Sequence, residues 1–329
     1  MTEWLHDRMQ ALEGSHAELY FPRYGHFQWL RSLSKIAKSI KPADIRTLYI
    51  SQNVARRASS SPAAKEIDTK TYANLFLSLQ YYVALIEMLE SNVSMETMAR
   101  IAVMDWYYGL YWAVNAMLMA QGGSHPEAHR PAATEFCRVF SERSLLPEPF
   151  NLHVSSLVRK TYEQEILAYA VSEKPSYSGY AFSKEQAMAN LVGSLNGNAK
   201  WYKERTEDEI KATGRFKDLG VSNFKTKKAQ ELRDKVLAKH NCGFLHQAFR
   251  ARGKANYRDA TYLGYGERER EWCGQFIEDL EVTLGKFLLC AATFCQRKVQ
   301  KNTWESFIED IKDNSWFADD SIEPLTDAI

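Results

Sequence analysis

Arg233 and His240 stand seven residues apart in the stretch Arg233-Asp234-Lys235-Val236-Leu237-Ala238-Lys239-His240. A seven-residue step is nearly two helical turns, so both side chains are expected on one face of a helix. Arginine carries a permanent charge and a planar fork that matches phosphate oxygens. Histidine can trade a proton near neutral pH. The pair ends a basic stretch: residues 200–239 hold twelve Lys and Arg against seven Asp and Glu. The whole chain carries a net charge of only +1, so a general polycation for nucleic acid is excluded and any anion surface must be local. The stretch is either a solvated face or a surface that meets phosphate. Its candidate contacts are Lys225, Lys227, Lys228, Lys235 and Lys239, followed by Arg250 and Arg252.

Other spacings hold weaker chemistry. His246 with Arg250 and Arg252 is either an anion contact or an exposed basic helix face. His125 and His129 are four apart and could meet a metal or a phosphate, but Pro126 intervenes and only Glu127 adds an acid, so a loop is expected. Tyr107, Tyr108, Tyr111 and Trp112 could stack bases if exposed. They lie in a nearly all-apolar segment, which favours core or dimer packing. The five cysteines, Cys137, Cys242, Cys273, Cys290 and Cys295, form no C-x-x-C pair, so reduced, buried thiols in a cytoplasmic protein are expected. No Walker loop, G-x-G-x-x-G, H-E-x-x-H or G-x-S-x-G occurs.

The elements that must position these residues read as helices. The 329 residues are 45% hydrophobic and 25% charged, inside the globular range. A helix is expected at 27–39, then a Ser/Ala/Pro-rich linker at 55–66. Tyr72, Leu75, Phe76, Leu79, Tyr82, Val83, Ile86 and Leu89 recur at three- and four-residue steps and predict one helical face. Ser94 is the expected cap of the next helix, which runs to Ala120 and stops at Gly122-Gly123. Residues 101–120 are long enough to span a bilayer, but Asp105 and Asn115 inside the run favour a buried core helix. Shorter helices are expected near 130–142, 155–171 and 184–194, with loops at Pro175, Gly179 and 193–198. A long helix closes the fold at 267–298, with an acidic tail from 305 onward. The N-terminus has no apolar segment of the kind a signal peptide needs. Neither a repeat nor a βαβ alternation is visible, and the expected class is all-α.

The segment 73–142 resembles the front half of a HEPN domain, a small helical bundle found in many RNA-cleaving toxins and defence proteins. The likeness lies in an amphipathic helix ending Leu85-Ile86-Glu87-Met88-Leu89, a short turn, then Asp105-Trp106-Tyr107-Tyr108-Gly109-Leu110-Tyr111-Trp112-Ala113. Gly122-Gly123-Ser124-His125, His129 and a short helix follow. The back half would be Tyr257-Arg258-Asp259-Ala260-Thr261-Tyr262 leading into 267–298. The resemblance implies an N-terminal helical extension at 1–66, a bundle in two halves at 67–143 and 251–300, an inserted mainly helical region at 144–250, and a tail at 301–329.

HEPN ribonucleases resemble one another in an Arg-x(4–6)-His motif that needs no metal. Of the eight histidines, only His240 has an arginine, Arg233, at that distance. The family motif normally opens the last bundle helix. Here Arg258-Asp259 holds that place, and the reachable positions carry Tyr262 and Tyr265, whose phenols are poor bases at neutral pH. Either the chemistry lies at Arg233 and His240, with Arg233 or Arg258 holding phosphate, or the bundle has lost it. The resemblance implies RNA as partner, a homodimer or a partner protein of the same system, no cofactor, and a toxin or antiviral-defence role as a metal-independent endoribonuclease. The alternative is a catalytically silent HEPN-like scaffold that binds a protein or ligand. No membrane partner is expected.

Overall fold

Two serine caps begin the hairpin at the centre of the fold. The Ser61 side chain accepts from the Ala64 N–H and starts α3 (Pro62–Glu90) with proline at its first position. Ser94 accepts from the Thr97 N–H and starts α4 (Met95–Gly122). Gly123, at φ 77°, closes α4 in the left-handed conformation that glycine adopts without strain, and its N–H donates to the Met119 carbonyl. The computed structural model describes Arg8 and residues 16–56, 61–91, 94–176, 183–258 and 270–328.

Around α3 and α4 lie α1 (His16–Ala37), α2 (Pro42–Ser51), α5 (His129–Phe136), α6 (Arg159–Ala168), α7 (Lys184–Ala212), α8 (Gly214–Lys217) and α9 (Lys227–Leu237). The chain ends with α10 (Phe244–Gly253), α11 (Arg270–Lys298), α12 (Thr303–Asn314) and α13 (Glu323–Thr326). The fold is all-α. Among the described residues the one sheet is a pair of two-residue strands, β1 (His153–Val154) antiparallel to β2 (Cys242–Gly243). No helix among the described residues is long and apolar enough to cross a membrane.

The long helix α11 packs against α4, α3 and α1. Two glycines let these helices close. A Cβ on Gly109 of α4 would meet Leu284 of α11 at 2.5 Å, and one on Gly285 would meet the Tyr82 ring at 2.8 Å. Ser78 Oγ donates to the Gly109 carbonyl at 2.8 Å and pins α3 to α4 at the same level. The segment 101–120, with its bilayer-length apolar run, is the core helix: Trp106, Tyr107, Leu110, Val114 and Met117 are buried.

One hydrophobic core runs through the stretches expected as extension, bundle, insertion and tail. It includes Ile45, Leu79, Leu195, Phe287 and Leu325 together. A small second cluster, built on Ile210, Phe216 and Ala229, sits where α7, α8 and α9 meet. Three expectations change. The predicted loop at 193–198 lies inside the 29-residue α7, because Leu191, Leu195, Ala199 and Tyr202 bury one continuous face, partly against α1. Tertiary burial outweighs the turn preference of Gly193, Asn196 and Gly197. The acidic tail is folded: Trp304, Ile308 and Ile311 of α12 are buried, and α13 packs on α11. The predicted linker gives up residues 62–66 to α3. The loop signal at Gly179 and the first residues of the predicted 267–298 helix lie outside the described residues. Cys137, Cys242, Cys290 and Cys295 are free and buried, and the Cys273 side chain lies outside the described residues.

Candidate nucleic-acid interface

The short helices α5 and α10 each present basic or imidazole side chains in two directions. Phe244, Leu245, Ala248 and Ala251 anchor α10 in the core, leaving Arg250 and Arg252 partly exposed. Two helical positions differ by about 200°, so these arginines diverge. Arg252 turns toward α4, where its Nη2 donates to Tyr108 Oη at 2.9 Å and its guanidinium lies 5.3 Å from the Tyr108 ring and 5.7 Å from that of Tyr107. Arg250 turns toward α7. Its Nη1 donates to Asn198 Oδ1 at 2.9 Å, and its guanidinium sits over the Trp201 ring. On α5, His129 turns toward α4 and Arg130 toward α7.

On the α4 side, His129 Nδ1 and Tyr107 Oη share a hydrogen bond of 2.9 Å. The imidazole stacks on Phe249, centroids 5.3 Å apart, and meets Tyr111 edge-on at 4.6 Å. Tyr111 Oη donates to the Glu127 carbonyl at 2.7 Å and fixes the turn that leads into α5. Burial, and then the charge of Arg252, hold the His129 pKa below the usual histidine value. The imidazole is therefore neutral at pH 7. Burial pushes the Tyr107 phenol well up, so it keeps its proton. Arg252 makes no ion pair among the described residues. An uncompensated guanidinium thus lies beside a neutral imidazole, at the edge of a wall of phenols. That combination can hold a phosphate oxygen and accept a proton.

On the α7 side, Arg130 is engaged. Its Nη1 donates to both Glu209 oxygens, at 2.9 and 3.2 Å, and its Nη2 to Thr206 Oγ1 at 2.9 Å. His240 is half-buried, and burial followed by the Arg130 charge lowers its pKa against the opposing pull of Glu209. Arg205, one turn before Glu209, reaches the Trp201 ring at 5.7 Å, so two guanidinium groups crowd that indole.

His246 departs from the exposed basic face expected for it. It is 2% exposed, and burial drives its pKa down to about 3. Its Nδ1 accepts from the Gly243 N–H at 3.3 Å, its Nε2 meets Thr134 Oγ1 at 3.3 Å, and its carbonyl accepts from Tyr202 Oη at 2.9 Å. These bonds make it a core histidine that starts α10.

Arg233 and His240 do not share a helix. α9 ends at Leu237, and the N–H groups of Lys239 and His240 turn back onto the carbonyls of Val236 and Leu237. The cause lies just downstream: Cys242 and Gly243 must reach β1, and the His240 carbonyl accepts from the Leu157 N–H at 2.9 Å. Arg233 is held within its own lobe. Its Nε donates to Asp234 Oδ1 at 2.8 Å, lies 3.8 Å from Glu207 Oε1, and its guanidinium covers the Phe224 ring at 5.6 Å. Lys225, Lys227, Lys228 and Lys235 are exposed on the lobe of α9 and its N-terminal approach, and Lys239 is exposed beside His240. Arg258 closes the π-helical turn Lys254–Arg258, and its side chain, with Asp259, Tyr262 and Tyr265, lies outside the described residues. Among the described residues, no group of three or more His, Cys, Asp or Glu is placed to hold a metal ion, and His125 and His129 do not converge into one.

No protein family, curated protein or solved structure gives a match to this chain. Sequence reasoning missed Arg130, Trp201, Arg205 and Glu209 as members of the surface. The i, i+4 spacing of Trp201, Arg205 and Glu209 was a usable signal, since it puts an indole, a cation and an acid on one helical face. Arg130 carried none, because its partners lie 76 and 79 residues away.

Proposed function

We propose that this protein binds single-stranded RNA across the surface formed by α5, α7 and α10 and cleaves it without a metal ion. The observation that carries the reading is the uncompensated Arg252 beside neutral His129, next to a surface where Arg250 and Arg205 flank Trp201. Guanidinium groups interleaved with aromatic rings suit a flexible strand, which offers phosphates and unstacked bases together. The resemblance to HEPN domains points to the same substrate.

In this reading His129 Nε2 takes the proton from a ribose 2′-OH while Nδ1–H donates to Tyr107 Oη. The 2′-oxygen bonds to phosphorus, Arg252 balances the charge gathering on the phosphate oxygens, and the 5′-oxygen leaves with a proton from water. The products are a 2′,3′-cyclic phosphate and a 5′-hydroxyl. Incubation of labelled RNA in EDTA tests this. The wild type is expected to give cyclic-phosphate ends, His129→Gln and Arg252→Gln to lose at least about 100-fold, and Arg233→Ala to stay near wild type. Loss in Arg233→Ala and His240→Ala with His129→Gln unaffected would return the chemistry to that pair.

A second reading, a scaffold that binds without cleaving, draws on the carboxylates already seated on two arginines. Glu209 covers Arg130, and Asp234 with Glu207 covers Arg233. RNA binding by the wild type with no cleavage in EDTA or with added Mg²⁺ would favour it.

A further inference from the structure

Two charged runs take no part in the α5–α7–α10 surface, and they have opposite sign. Residues 305–320 hold Glu305, Glu309, Asp310, Asp313, Asp319 and Asp320 against Lys312 alone. Residues 213–228 hold Arg215, Lys217, Lys225, Lys227 and Lys228 against Asp218 alone. Every one of these side chains is exposed. Among the described residues, no ion pair engages any of them. Each run repels itself, and each is the electrostatic complement of the other.

Within the acidic run, Trp316 is 100% exposed. Scattered exposed apolar side chains such as Ile50 and Ile101 are ordinary. A tryptophan is different, because its ring is large and is mostly buried in folded proteins. The backbone on either side of it is fixed. The Phe317 ring packs against Phe76 at 5.7 Å, the Phe317 N–H donates to Ser315 Oγ at 3.3 Å, and Ile322 and Leu325 are buried just beyond. The turn after α12 therefore holds the indole out in water among carboxylates. A rigid indole of this kind is the commonest sort of anchor at a protein interface.

The basic lobe of α8 and α9 offers what such an anchor needs. Leu219, Val221 and Phe224 are half-buried around the second cluster, so apolar surface lies among the lysines. The face of an indole also attracts ammonium groups. RNA suits this lobe less well. Lys211 and Arg233 already lie over the Phe224 ring, at 5.8 and 5.6 Å, and Phe216 is buried, so neither ring is open to stack a base. The tail rests on the main core through Trp304, Ile308 and Leu325, and the lobe rests on the second cluster. We propose that the Trp316 tail of one copy of this chain docks on the α8–α9 lobe of a second copy. The contact joins two different surfaces, so it is head-to-tail.

Sedimentation velocity of the full chain over a concentration series tests this by complementation. The lobe variant carries Lys227→Glu and Lys228→Glu, in the first turn of α9, where acids suit the helix dipole. The tail variant carries Asp310→Lys and Asp313→Lys, near the end of α12, where cations suit it. Wild type is expected to self-associate reversibly by about 100 µM, and Trp316→Ala to do so at least about tenfold more weakly with an unchanged Tm. Each charge variant alone should stay monomeric, and an equimolar mixture of the two should associate again, since each then meets a surface of opposite sign. A monomeric wild type at that concentration would overturn the proposal, as would association indifferent to Trp316→Ala. So would a mixture that stays monomeric. Loss of oligoribonucleotide binding in the lobe variant, with no self-association of the wild type, would assign the lysines to RNA instead.

Discussion

The Arg250 guanidinium lies 4.6 Å from the centre of the Trp201 ring. The two side chains come from different helices, α10 and α7, 49 positions apart in the chain. A ring and a cation so placed can act on RNA through different physics, and salt separates them. Trp201→Ala is expected to weaken binding of a single-stranded oligoribonucleotide by about 1–3 kcal/mol, with the slope of log affinity against log salt unchanged. Arg250→Gln should make that slope shallower by about 0.7. Fluorescence anisotropy across a salt series reads both, and a changed slope in Trp201→Ala would contradict a stacking role.

His129 gives a pH signature. Its pKa is lowered first by burial and then by the Arg252 charge. A base with a lowered pKa stays unprotonated further into acid, so the acid limb of kcat/KM for RNA cleavage is expected below pH 6.5. Arg252→Gln removes one of the two causes. Whatever activity remains in that variant should show its acid limb moved upward. A limb that stays in place would mean that the titrating group lies out of reach of Arg252.

His246 sets how the fold responds to acid. Its unfolded pKa is near 6.5 and its folded value about 3, so the unfolded chain binds the extra proton between them. Stability is complete above about pH 6.5 and falls as the pH drops toward 3, at up to about 1.4 kcal/mol per unit from this group. Thermal melts from pH 7 to pH 4 should show that slope. His246→Asn should be less stable at pH 7, through lost packing against Tyr202, and flatter in acid.

The sequence pattern was most legible where local rules and tertiary packing agree. The helix at 72–89, the Ser94 cap and the Gly122-Gly123 stop all follow from periodicity and backbone conformation, and they appear as read. Residues 193–198 were misread because Leu191, Leu195 and Ala199 bury a face of α7. The interface was legible only in pieces. Arg250 and Arg252 could be named from composition, but a two-residue spacing does not say which partner each finds. Arg233 and His240 looked paired because a seven-residue step assumes an unbroken helix, and β2 pairing ends that helix at Leu237.

Asp105 provides a stability test from the opposite sign. It lies on α4, partly buried, and desolvation raises its pKa to about 6. The native state therefore holds the proton more tightly than the unfolded chain between about pH 4 and 6. Its contribution is lost as pH rises through that window, and at pH 7 the ionised carboxylate destabilises the fold. Asp105→Asn keeps the shape and removes the charge. It is expected to raise stability at pH 7 by about 1 kcal/mol, after allowance for solvent screening of a group that is not fully enclosed. The gain should vanish below pH 4, where the native carboxyl is already neutral. A higher Tm at pH 7 that converges with wild type at pH 4 would verify the cause. A gain independent of pH would trace the effect to packing, and a loss at pH 7 would mean that the carboxylate is stabilised by a partner it gains when ionised.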